Sequence, residues 1–77
     1  MLNEAQFARV ERGMVGDEVR RLLGKPASSQ FLQLKQETVW EWLIDVPPPG
    51  GDRVYFTVNF NTDGRVTGTG RYVKPGR

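Results

Sequence analysis

The sequence predicts an α+β domain in which two N-terminal helices pack on one face of a three-stranded antiparallel β-meander, in the order α-α-β-β-β. Three observations predict it. Gly13 and Gly24 each follow a stretch whose apolar residues recur at helical spacing. Trp40, Trp42, Ile44 and Val46, and then Val54, Phe56, Val58 and Phe60, occupy every second position, the period of a strand with one buried face. Asn61, Thr62, Asp63 and Gly64 end in the Asp-Gly pair that tight hairpins favour. The chain of 77 residues has no internal repeat and reads as a single domain, 1–77, with a core near the lower limit of what folds without staples.

The first helix is expected over residues 5–12, with Asn3 and Gln6 as a reciprocal cap, Leu2 as a staple, and Phe7 and Val10 facing inward. Gly13 then supplies a left-handed terminator. In the second helix Val19, Leu22 and Leu23 fall at i, i+3 and i+4, while Asp17, Glu18, Arg20 and Arg21 take the remaining surface. Gly24 ends it, and Pro26 prevents it from resuming. Residues 27–38 carry Phe31, Leu32 and Leu34 among polar residues in no clean period, and read either as a long connection or as an extra edge strand.

Trp40, Trp42, Ile44 and Val46 share a parity that places them in the core, against Glu41, Leu43 and Asp45 on the other face. Residues 47–52, PPPGGD, read as an exposed hairpin tip, because consecutive prolines cannot donate ladder hydrogen bonds. The second strand buries Val54, Phe56, Val58 and Phe60 and turns Tyr55, Thr57 and Asn59 outward. In the third strand, residues 66–73, the inward positions are expected to be Val66, Gly68, Gly70 and Tyr72, with the two glycines leaving room for the helices to cross.

Several strings come close to chemical motifs and fail them. From Asn59, oxygen-bearing residues stand at positions one, three and five of a calcium-loop spacing with Gly64 at six, but Gly70 occupies the place of the bidentate glutamate. Gly68-Thr69-Gly70 lacks the third glycine and the helix of a dinucleotide fingerprint, and Lys25 is followed by Pro26 where a phosphate loop needs a hydroxyl. With no cysteine and no histidine, the chain has neither disulfides nor the usual ligands of transition metals. Glu41 and Asp45 fall on a polar strand face, so no catalytic residue, metal ligand or cofactor is assigned. The formal charge is +2, with Arg65, Arg71, Lys74 and Arg77 making a mildly basic end, and no apolar run approaches the roughly 20 residues of a spanning helix.

Gly13-Met14, Glu18-Val19, Leu23-Gly24 and Pro26 together resemble the recurrent string of the SmpA/OmlA domain family, the family of the outer-membrane assembly lipoprotein BamE. Trp40 and Trp42 look like its aromatic strand, and Val58, Phe60, Asp63, Gly64 and Val66 like its last hairpin. One departure is Val15, which stands where the family has a threonine cap, so the second helix should begin about 1 kcal/mol less favourably. The resemblance implies a non-enzymatic module on the periplasmic face of the outer membrane that helps assemble or stabilise β-barrel proteins. It implies other subunits of the assembly complex and anionic phospholipid as partners. A secretion signal and a lipidated cysteine would precede Met1 in the precursor, the lipid being the membrane contact. The family uses the surface around the connection after its Gly-x-Pro, here residues 27–38.

Read from the residues, the candidate partner-binding positions are Phe31, Leu32 and Leu34 in that connection, flanked by Leu43 and Tyr55 on the outward face of two strands expected to pair. Two alternatives stand beside the assembly reading. The helix-helix-sheet unit also looks like half of the β-lactamase-inhibitor protein fold, which points to a proteinaceous enzyme inhibitor. Arg65, Arg71 and Lys74 with Tyr55 could serve a single-stranded nucleic-acid binder, although the reading adopted includes no nucleic acid.

Overall fold

The computed structural model describes residues 4–45 and 51–75. Two helices, α1 (Glu4–Ala8) and α2 (Gly16–Leu23), precede four strands, β1 (Ser28–Leu32), β2 (Glu37–Asp45), β3 (Arg53–Phe60) and β4 (Val66–Lys74). The strands form one antiparallel sheet in the order β1-β2-β3-β4. The Leu2 staple, the Asn3 cap, Val46 and the tip at residues 47–50 lie outside the described residues.

Residues 27–38 resolve the open alternative in favour of the edge strand. β1 pairs with β2 from Ser28↔Glu41 to Leu32↔Glu37, and residues 33–36 make the turn between them. Gln36 takes the left-handed conformation there, φ 55°, and its Nε2 donates to the carbonyl of Gln33 at 2.7 Å. The meander therefore has four strands rather than three.

The first helix is shorter than its propensity suggests. After Ala8 the amides of Arg9 and Val10 donate to Gln6 and Phe7, three residues back, in a last tightened turn. The chain then leaves the helical path because its backbone is claimed elsewhere: Gly13 N–H donates to Val66 at 2.9 Å, Val66 N–H to Met14 at 2.8 Å, and Val15 bridges Arg65. Gly13, at φ 89°, turns the chain along the start of β4 instead of capping α1.

The second helix follows its pattern. Val15 is the N-cap and offers no side-chain oxygen, so only half of a capping box forms, with Glu18 Oε1 accepting from Val15 N–H at 3.1 Å. Gly24 terminates the helix at φ 82°; its N–H donates to Arg20, and its carbonyl accepts from Trp42 Nε1 at 3.2 Å, pinning the helix end to β2.

Phe7, Val19 and Leu23 from the helices meet Trp42, Phe56, Val58, Phe60 and Val66 from one sheet face to form the core. Phe7 stacks on Phe56 with ring centroids 4.3 Å apart. The parity expected for β4 holds only at its first residue. Phe60 pairs with Val66 but Asn59 pairs with Gly68, so Thr67 is an extra residue, a β-bulge. Beyond it Thr69, Arg71 and Val73 lie opposite Val58, Phe56 and Val54 on the helix side, while Gly68, Gly70 and Tyr72 fall on the other face. The close helix approach is accordingly not at those glycines, and a Cβ on Gly68 would meet nothing within 4 Å. It is at Gly16, where a Cβ would stand 2.9 Å from Trp40 Cη2.

Candidate binding site

The sheet residues Phe31, Thr38 and Phe60 are register partners across β1, β2 and β3 and form a row on the helix side. Trp40 lies two positions along β2 from that row, tilted against Phe60 at 4.5 Å and edge-on to Trp42 at 6.1 Å. The first turn of α2 crosses Trp40 at Gly16, and the Arg20 guanidinium lies over the indole, 5.0 Å from its centroid. With the β3–β4 turn closing one end, these elements bound a cleft of about 610 Å³. That lies within the roughly 300–1,000 Å³ of ligand sites. Phe31, Trp40 and Phe60 give it an aromatic lining, Thr38, Asn61 and Thr62 its neutral polar groups, and Asp17 and Arg20 its charged residues.

This geometry suits binding by stacking and apolar contact. Trp42 is 2 % exposed and belongs to the core, whereas Trp40 is only half-buried and is shared between core and cleft. At the β3–β4 turn, Asn61 Oδ1 accepts from the amides of Asp63 (3.0 Å) and Arg65 (3.1 Å), so the oxygen that mimicked a calcium ligand is engaged in holding the turn. Among the described residues no group of three or more acidic side chains converges on a metal position.

The sequence-derived candidates divide among three places. Phe31, 55 % exposed, stands at the mouth of the cleft. Leu32 has the opposite parity and borders a second hollow, on the helix-free face, together with Val39 and Tyr72. Leu34 projects from the β1–β2 turn fully exposed. Leu43 and Tyr55 are direct register partners on the helix-free face, as their parity implied, and Tyr72 extends that row with its ring 6.2 Å from Tyr55.

Sequence reasoning missed Gly16, Asp17, Arg20 and the exposed side of Trp40. The signal available was the glycine that opens α2, since a helix beginning with Gly next to a tryptophan-bearing strand permits ring-to-backbone contact. The basic end is dispersed: Arg65 Nη1 donates to the Gly13 carbonyl at 2.7 Å, Arg71 pairs with Glu4 on the helix side, and Lys74 has the opposite parity.

The architecture is that of a small α+β scaffold with a helix pair on one face of a four-stranded antiparallel meander. No family model matches the sequence, and no curated protein matches it. Among solved structures, one assigned to the osmotically inducible lipoprotein OsmE matches with a TM-score of 0.72 and 29 % identity, covering 88 % of this chain and 68 % of that one. The chain has the SmpA/OsmE-like fold.

Proposed function

We propose that this chain is the folded domain of a cell-envelope lipoprotein, held at the periplasmic face of the outer membrane, where it acts as a non-enzymatic accessory module in the assembly of β-barrel proteins. The observation that carries the reading is the likeness to the OsmE lipoprotein over 88 % of the chain. It is supported by the Gly13-Met14, Glu18-Val19, Leu23-Gly24 and Pro26 string and by a cleft suited to partner contact. Its partners are other subunits of the assembly complex and anionic phospholipid, with Phe31, Leu32 and Leu34 as the central contacts and Leu43 and Tyr55 as flanking ones.

Titrating the labelled domain with purified assembly subunits while recording amide chemical shifts tests this. Shifts at Phe31, Trp40 and Gly16 are expected with one subunit, and silence with every subunit rejects the proposal. Changing Phe31, Leu32 and Leu34 together to serine is expected to abolish those shifts while keeping the circular dichroism of the fold, since Phe31 and Leu34 are exposed. A variant that unfolds instead would make the three side chains structural.

One observation favours the enzyme-inhibitor reading: Tyr55 and Tyr72 lie side by side on a face without helices. Unchanged turnover of secreted hydrolases, β-lactamases among them, at saturating domain would eliminate it.

A further inference from the structure

The two edges of the sheet are finished differently. At the β4 edge the chain between the helices supplies backbone partners to Arg65 and Val66, and the strand carries Arg71 and Lys74. Charged side chains and a covering segment are the usual means by which an edge is kept from pairing. The β1 edge has neither. Its residues Ser28, Ser29, Gln30, Phe31 and Leu32 include no charge and no proline, the first four are exposed, and among the described residues no strand pairs with its outer side. A neutral edge leaves alternate N–H and C=O groups facing outward, and the group that complements them along their whole length is another extended chain.

We infer that β1 accepts an added β-strand from a partner protein, namely an extended segment with alternating apolar and polar residues flanked by acidic residues. The alternation follows from the two faces. On the helix side, the row Phe60–Thr38–Phe31 ends at Phe31, so a residue of the added strand facing that way continues the row at the mouth of the aromatic cleft. On the opposite side its neighbours are Ser28, Gln30 and Leu32, with Ser28 Oγ already donating to Glu41. The acidic flanks follow from charge: Lys25 lies three residues before β1 and Lys35 three residues after it, both exposed and neither in an ion pair among the described residues. The inference stands on this edge and would survive failure of the envelope reading, because its probe is a peptide and not an assembly subunit.

The test uses a synthetic peptide of about nine residues, long enough to span the edge, with alternating phenylalanine and threonine and an aspartate at each end. Amide shifts and slowed hydrogen exchange at Ser28–Leu32 are expected. Two N-methylated versions, one blocking the odd and one the even backbone amides, separate main-chain pairing from side-chain contact. Only one set faces β1, so one version should bind about tenfold more weakly, the equivalent of about 1.4 kcal/mol. Lysine in place of the terminal aspartates should weaken binding about threefold at low salt. Phe31→Lys should remove binding with the melting curve retained; should that variant unfold, the N-methyl pair on the unaltered chain decides. The inference is overturned if the parent peptide does not bind, if both N-methyl versions bind like the parent, or if the responding amides lie on β4. It is also overturned if the free domain sediments as a dimer joined through β1, which would assign the edge to a second copy.

Discussion

On the helix side of the sheet, Trp42, Phe56, Val58 and Phe60 are buried under Phe7, Val19 and Leu23. On the other side, β2, β3 and β4 present Leu43, Tyr55 and Tyr72 half-buried or exposed, among Glu37, Asn59 and Thr57. The difference teaches that aromatic content does not tell a core face from a surface one. What separates them is whether an element lies above: Gly16 lets α2 descend onto Trp40, whereas nothing stands over the Tyr55–Tyr72 pair among the described residues.

The strongest way to break this contrast is to truncate matched aromatics on the two faces. Trp42→Ala removes a 2 % exposed side chain that also bonds the end of α2, and it is expected to cost about 3–5 kcal/mol, enough to unfold a marginal domain. Tyr55→Ala should cost only about 0.2–1 kcal/mol, the scale of a cross-strand pair. Urea titrations of both variants decide, and equal losses would mean that the helix-free face is covered. Gly16→Ala comes next, at about 1–3 kcal/mol, because its new methyl would displace the Trp40 indole; a shift in tryptophan emission should accompany the loss.

Deleting Thr67 sharpens the comparison at smaller cost. The deletion removes the bulge and the Thr67 hydroxyl, whose one proton is shared weakly between Glu37 Oε2 and the Asn59 carbonyl, for about 1 kcal/mol, while Val66 stays inward and Tyr72 outward. Retained nuclear Overhauser contacts between Tyr55 and Tyr72 would confirm that parity; their disappearance would show that the bulge maintains the faces. Smallest is Val15→Thr, expected to add about 0.5–1 kcal/mol by completing the capping box with Glu18, read as a rise in denaturation midpoint. A fall would show that the methyls of half-buried Val15 matter more than the new oxygen.

How legible the molecule was depends on where the deciding contact lies. Gly24, the alternation of β3, the Asp63-Gly64 turn and the cap at Val15 could be read because each is settled by neighbouring residues. The sequence leaves β1 open between strand and connection because its turn contains no glycine: Gln36 takes the left-handed conformation unaided by composition. Residues 9–12 carry helix formers, yet the backbone bonds between Gly13–Met14 and Val66 override them. The parity of β4 beyond Val66 failed at one unmarked threonine. In the cleft, Phe31 and Trp40 stand out individually in the sequence, but their sharing of one space depends on pairing β1 with β2 and on the descent of α2, neither of which a linear pattern encodes.

The stitching of the inter-helix segment onto the start of β4 also bears on the order in which the chain folds. The bond from Arg65 to Gly13 spans 52 positions, whereas each described hairpin closes over a few residues. Long closures lose more chain entropy before any contact compensates them, so the meander can assemble by local zippering while the helices are still free. Closure entropy thus favours helix docking after the β3–β4 hairpin has formed and brought Val66 into place to bond Gly13 and Met14. A nascent chain would therefore hold the backbone groups of the inter-helix segment unsatisfied until β4 had emerged.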